Sequence, residues 1–252
     1  MAGHSKWSNI KERKGKQDKQ RSKIFSRIIK EIYIAIKENG GNGDPETNPA
    51  LRTALQNAKG ANMPKDNIER AIKKASGADS GDYQQLTFEG YGPHGIAIYV
   101  ECTSDNSNRT VANVRAIFNK YGGSLGTNAS LEFLFDRKGV FTLDKTTLTM
   151  DWEELQMELI ENGADEFEAE DDTYLIYCDF IDFGMLSQKL AELNIEPKST
   201  ELVRIPHHEE SLPLEQALSI VQMLEAFEND DDVQQVFHNM ELTDELAEEL
   251  SK

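Results

Sequence analysis

Apolar positions along the chain change their spacing twice, and the changes divide it. In residues 1–21 the only large apolar side chains are Trp7 and Ile10, set among Lys, Gln, Gly and Ser. Such a segment lacks the surface a core requires and reads as an arm. From Ser22 onward Ile24, Phe25, Ile28, Ile29, Ile32 and Ile36 recur at helical spacing, and Asn39-Gly40-Gly41 supplies the stop. Asn48-Pro49 then forms a cap with proline at the first helical position, and Leu51, Ala54, Leu55 and Ala58 share one face. Pro64 opens a third helix through Ile68, Ala71, Ile72 and Ala75, which Gly77 ends. The three predict a small helical bundle over 22–77.

Beyond a linker at 78–85 the period becomes two. Leu86 to Tyr91 and Ile96 to Cys102 read as strands joined by the tight turn Gly92-Pro93-His94-Gly95, and a helix follows from about Asn108 through Val111, Val114, Phe118 and Tyr121. From Leu131 to Arg204 the order is β-α-β-β-α-β, the ferredoxin-like arrangement. It leaves two remainders, ββα at 86–121 and αβ at 213–238, and neither alone covers a core. The prediction is therefore α+β with three domains. A helical domain (22–77) carries the basic arm (1–21). A discontinuous α/β middle domain (84–130 and 207–240) receives the ferredoxin-like one (131–206) as an insertion. Residues 241–252 are expected as an acidic tail, helical or frayed.

Charge sharpens this division. The net charge of −18 conceals a split: residues 1–76 hold seventeen Lys and Arg against eight Asp and Glu, while the other 176 hold ten against 37. An acidic body repels phosphate backbones, so a polyanion has to be met by the first module. Lys6, Lys11, Arg13, Lys14, Lys16, Lys19, Arg21, Lys23 and Arg27 lie within 22 positions, beside Trp7. Their ammonium and guanidinium groups neutralise phosphates and release counterions, and an indole either stacks on a base or braces the arm. These ten residues are the candidate nucleic-acid contacts; a solvated tail with Trp7 as a plug is the alternative.

Other constellations carry less. His94 near Asp105 and Arg109 has the groups for acid–base chemistry, but the glycines and proline account for a hairpin and the Asp/Asn/Ser cluster for a helix cap. The loop 122–128 lacks the Lys-Ser/Thr ending of a phosphate-binding loop, so no nucleotide cofactor is expected. His207-His208-Glu209-Glu210 has no partner at i+4, and adjacent strand histidines face opposite ways, so no metal is expected there. The acidic runs 166–172 and 230–232 read as solvated loops. Cys102 and Cys178 lie far apart in apolar surroundings and read as buried thiols. No apolar run nears the roughly 20 residues of a membrane span. The start, MAGHSKWSNIKERKGKQ, has no apolar core for a secretory signal, so a cytoplasmic location without membrane contact is expected.

Four stretches, AGHSKWSNIK at 2–11, NPALRTALQNAKGANMPKDNIERAIKKASG at 48–77, YGPHGIAIYVECTSDNSNRT at 91–110 and VRAIFNKYGGSLG at 114–126, resemble the YebC family. The likeness spans essentially the whole chain. It implies three domains and a DNA-binding transcriptional regulator. Mitochondrial relatives implied by the same likeness are translational activators, which makes a ribosome- or RNA-associated translation factor the alternative. Either reading is non-enzymatic, with DNA or ribosomal RNA as ligand and transcription machinery or the ribosome as partner. Helices 48–59 and 64–76 are placed to enter a major groove, yet neither displays the Arg/Asn/Gln row of base readout. A nuclease or a purely protein-binding scaffold is the remaining class, and no carboxylate pair has a metal-ligand pattern.

Overall fold

The computed structural model describes residue 7, residues 17–77 and residues 81–251, with backbone alone for 17–20. Two compact units emerge. One gathers residue 7, 17–23, 81–136 and 205–251; the other gathers 24–77 and 137–204.

In the first unit, β1 (Gln84–Tyr91) and β2 (Ala97–Ser104) form an antiparallel hairpin running from Gln84 opposite Ser104 to Tyr91 opposite Ala97. The turn between them needs left-handed backbone at two successive residues, His94 (φ 61°) and Gly95 (φ 81°), which glycine adopts without strain. Asn106 caps α4 (Ser107–Lys120) by accepting from the Arg109 N–H at 3.1 Å. The two-residue strand β3 (Ser124–Leu125) adds to β1. From the far end of the chain come α7 (Leu214–Glu228) and β8 (Val233–His238), which pairs with β2 and completes the order β3-β1-β2-β8. The core is built from both halves: Ile98, Val100, Val114 and Phe118 pack with Ile220, Leu224, Phe227 and Val233. Phe118 and Phe227 meet edge to face at 5.0 Å.

In the expected acidic tail, residues 244–250 take the helical of the two expected forms, and apolar side chains there join this core. Thr243 caps α8 (Asp244–Leu250), accepting from the Leu246 N–H, and Leu242, Leu246 and Leu250 are buried in this core. Leucines four apart place one apolar stripe on an otherwise acidic helix.

The second unit holds the helices α1 (Gln17–Glu38, from Ile24 on), α2 (Pro49–Gly60) and α3 (Lys65–Ala75). It also holds β4 (Phe135–Asp144, from Arg137), α5 (Trp152–Ile160), β5 (Ala164–Ala169), β6 (Thr173–Asp179), α6 (Phe183–Glu192) and β7 (Ser199–Pro206, to Arg204). The strand order β5-β6-β4-β7 is that of a ferredoxin-like βαββαβ sheet. Leu155 and Leu159 of α5 and Leu186 and Leu190 of α6 cover Phe141, Leu143, Ile176 and Cys178 on one face.

The helical module and the ferredoxin-like module, expected as separate domains, share this unit. Asn57 on α2 bonds to the edge strand β7 both ways: its Oδ1 accepts from the Thr200 N–H at 2.8 Å and its Nδ2 donates to the Thr200 carbonyl at 2.9 Å. At Gly60 the backbones approach so closely that a Cβ would lie 1.7 Å from the Lys198 carbonyl oxygen, so only glycine fits. Asn48 fastens the turn before α2: its Nδ2 donates to the carbonyls of Ala35 and Asn42, and its Oδ1 accepts from Leu51.

Candidate nucleic-acid interface

The basic segment is tied to the first unit at two places. Trp7 is buried among Phe88, Ile96 and Leu246, and its ring meets His238 edge to face at 4.9 Å and 80°. Lys23, on α1, donates to the Glu228 carbonyl at 3.4 Å and to the Asn229 side chain. Both anchors fall on the α7–β8 stretch that closes the discontinuous sheet.

This corrects two of the expectations for the arm. Trp7 spends its indole on the protein core, which selects bracing over stacking; a large ring gains more from burial than the polar side chains around it. The helix begins at Gln17, within the stretch expected to be unfolded, because Gln, Lys and Arg are good helix formers and no breaker intervenes before Ser22. Lys23 serves as an anchor. Arg21 is exposed and Arg27 half-buried, and both engage neighbouring groups. Lys6, Lys11, Arg13, Lys14 and Lys16 lie outside the described residues, as does the side chain of Lys19.

On α2 and α3 several cations are already occupied. Arg52 donates to the carbonyls of Pro45 (3.2 Å) and Glu46 (3.0 Å), closing the turn before its own helix. Lys59 pairs with Glu196, Lys65 with Glu69 one turn on, and Lys74 lies 5.9 Å from the centre of the Tyr33 ring. Arg70 and Lys73 stand exposed on α3. Neither helix carries a row of side chains suited to base edges.

The His94–Asp105–Arg109 grouping resolves into structure. Arg109 bonds to Asp105 at 2.9 Å and to Asp232 through Nη2 (2.8 Å) and Nε (3.2 Å). Asp232 is 5% exposed and also accepts from Ser104 Oγ (3.1 Å) and Thr110 Oγ1 (2.9 Å). The last residue of an expected solvated loop is thus a buried carboxylate that fastens β8 to β2 and α4. Asn239, past β8, accepts from the Ala97 N–H at 2.8 Å, and Glu89 accepts from the backbone of Ala129 (2.8 Å) and Leu131. His207 pairs with Asp136 at 2.9 Å. Among the described residues no three His, Cys, Asp or Glu gather as a metal site, and no helix is long and apolar enough to cross a membrane. Sequence reasoning missed Asp232, Asn239 and Glu89 because a single buried polar residue leaves no periodic trace.

Residues 5–78 match the family described as the TACO1/YebC protein N-terminal domain, and residues 83–240 match the TACO1/YebC second and third domain. A probable transcriptional regulatory protein of Amoebophilus asiaticus is 50% identical over 95% of this chain and 98% of its own. A protein of the same description from Cytophaga hutchinsonii is 52% identical over 93% and 97%. The crystal structure of a conserved hypothetical protein from Aquifex aeolicus superposes with a TM-score of 0.77 at 37% identity, covering 90% of this chain and 92% of that one. With both family segments matched in order along almost its full length, this chain belongs to the TACO1/YebC family.

Proposed function

We propose that the protein is a non-enzymatic regulator of gene expression, acting in the cytoplasm, that grips nucleic acid through its basic N-terminal segment. The observation that carries this is the segregation of charge: seventeen Lys and Arg against eight acids in residues 1–76, and ten against 37 in the rest. A body so acidic turns polyanions toward one end. Trp7 and Lys23, which flank the run of lysines in sequence, are each held within the first unit, which supports a tethered contact. The names of the Amoebophilus and Cytophaga relatives support a transcriptional role.

The occupied cations of α2 and α3 favour a second reading on the same surface. With Arg52, Lys59, Lys65 and Lys74 engaged within the protein and no row of base-reading side chains on either helix, base readout has little support there, and a surface that meets phosphate alone discriminates shapes better than sequences. An RNA-bearing target such as the ribosome suits it as well as a promoter does.

The test is binding against salt with Lys11, Lys14 and Lys16 changed together to Ala, which leaves Trp7 in place. About five neutralised phosphates give a slope of log K on log salt of roughly −4 to −5, and the triple change makes it shallower by about three. An unchanged slope places the contact elsewhere and sinks the proposal. Competition between promoter DNA, scrambled DNA and ribosomes in one buffer then separates the readings. A preference of about 10³-fold for a promoter selects the transcriptional one, and less than about tenfold discrimination among duplexes with ribosome binding selects the other.

A further inference from the structure

Eight large apolar side chains stand exposed among the described residues, and five fall within one stretch of the second unit: Met157 (62%), Ile160 (57%), Phe180 (43%), Ile181 (84%) and Met185 (47%). They are not needed by the sheet, whose helical face is filled by Leu155, Leu159, Leu186 and Leu190. Met157 and Ile160 are one turn apart on α5, and Ile181 and Met185 one turn apart where α6 begins. The two ridges adjoin. A Cβ at Gly163 would lie 2.6 Å from Asp182 Cβ and 3.3 Å from Met185 Cε, and Gly163 itself donates to the Ile160 carbonyl at 3.2 Å. Lys189 of α6 pairs with Glu158 of α5 at 2.6 Å. Met157, Ile160, Ile181 and Met185 therefore make one patch, of the kind that marks a protein contact.

The charge around it is one-sided. Glu153, Glu154 and Glu161 lie within a turn of Met157 on α5, and Asp182 lies between Ile181 and Met185. Residues 137–204 hold six Lys and Arg against seventeen Asp and Glu. Among those cations, Lys138 pairs with Asp165 and Asp179, Lys145 bonds to the Glu170 carbonyl, Lys189 pairs with Glu158, and Arg137 lies 3.9 Å from the centre of the Phe180 ring. The rim is left with a net negative potential.

We propose that this patch docks a basic amphipathic segment of a partner protein. The segment's apolar side chains would enter between Met157, Ile160, Ile181 and Met185, and its Lys and Arg would face Glu153, Glu154, Glu161 and Asp182. Charge complementarity selects that occupant: a second copy of the same face would set carboxylates against carboxylates, which is repulsive. The unbranched side chains of Met157 and Met185 let the patch repack around the incoming side chains. The patch shares no residue with the basic segment, so the protein would have two handles, one for polyanions and one for protein.

The test uses the full chain and synthetic 18-residue helical peptides of three kinds, Lys/Leu, Glu/Leu and Lys/Ser, with binding followed by fluorescence anisotropy. The Lys/Leu peptide is expected to bind and the Glu/Leu peptide to fail. Ile160→Ser with Ile181→Ser should weaken the Lys/Leu peptide by about tenfold or more with melting unchanged, while Phe133→Ser, on the other unit, leaves it unaltered. If the double variant melts early, Met157→Ser alone serves and should weaken binding severalfold. Equal binding of the Lys/Ser peptide, or full affinity in the patch variants, overturns the proposal. So does a concentration-dependent dimer that the patch variants abolish, which assigns the face to a second copy. A tenfold gain in peptide affinity on changing Lys11, Lys14 and Lys16 to Ala also overturns it, since the chain's own basic segment is then the occupant.

Discussion

The two sheets have the same number of strands and are each covered by two main helices, yet they are held together by different means. The second, β5-β6-β4-β7, is continuous in sequence, and its helical face is closed by leucines, Phe141, Ile176 and a thiol. The first receives β8 from more than a hundred residues beyond β2, and the buried polar groups concentrate there. Of nine buried polar or charged residues among those described, Glu89, Thr103, Ser104, Thr110, Asp232 and Asn239 belong to the first unit. Asp232 and Asn239 stand at the two ends of β8, and both bond to the earlier half of the chain. Apolar burial is non-directional, and along a strand it fixes which face is buried but not a shift by two residues, which buries the same face again. A strand delivered from far away gains its register from groups that are satisfied in one alignment only, and an unsatisfied buried carboxylate penalises every other.

The largest effect expected from breaking this contrast comes from the end of the chain. Deleting residues 242–252 removes Leu242, Leu246 and Leu250 from the first core. At roughly 2–5 kcal/mol for each buried leucine lost, the first unit should lose about 6 kcal/mol or more. Hydrogen exchange should accelerate in β2 and stay slow in β6. Equal acceleration in both strands would show that the sheets do not owe their stability to separate cores.

Next in size is Asp232→Ala, which strands Ser104, Thr110 and Arg109 around an empty position and should cost about 2–4 kcal/mol. Asp232→Asn keeps one acceptor and should fall between. Each sheet carries its own reporter, Cys102 on β2 and Cys178 on β6, both buried and outside any disulfide. Burial pushes the Cys178 thiol up to about 12, aided by the carboxylates of Asp165 and Asp182 and opposed by a hydrogen bond with the Gly139 backbone, so labelling there requires the sheet to open. In the Asp232→Ala protein Cys102 should react with a thiol reagent about 30-fold faster or more, and Cys178 at its original rate. Faster reaction at Cys178 would mean that Asp232 stabilises the whole chain and not the first sheet.

The same contrast explains what the sequence discloses. The strands and helices of 131–206 follow from periodicity, because each buries one face and each loop is short. The discontinuous sheet follows by elimination, since ββα and αβ are both too small to stand alone. The fastening of β8 does not follow: nothing distinguishes Asp232 from Asp230 or Asp231 in the run, and burial is a property of where the strand lands. The leucines of α8 were visible at spacing four behind Thr243, but acidic composition masks so narrow a stripe. Trp7 was the ambiguous residue of the candidate site, a lone indole among lysines, and burial decides it for the core. The lysines expected to touch phosphate are legible as charge alone, which specifies an attraction and no geometry.

The smallest effect expected tests whether the second unit has a polar fastening of its own. Asn57 offers β7 an amide in place of a neighbouring strand, accepting from the Thr200 N–H and donating to its carbonyl, with Thr200 3% exposed. Asn57→Ala leaves both backbone groups unpaired at a buried edge and should cost about 1–2 kcal/mol, less than Asp232→Ala because no charge is stranded. Asn57→Asp should be worse than Ala near neutral pH. The introduced carboxylate can still accept from the N–H, but it confronts the Thr200 carbonyl without a proton and lies beside Glu31. Burial and that company raise its pKa in the folded state, so the folded protein binds a proton more readily than the unfolded one. Stability is then lost as pH rises through the unfolded carboxyl value near 4 and is regained as pH falls. Melting Asn57→Asp and Asn57→Ala side by side from about pH 4 to pH 7 should show the two converging at the acid end. Parallel curves would mean that the amide donates nothing to β7, and that the apolar core alone holds the second sheet to its helices.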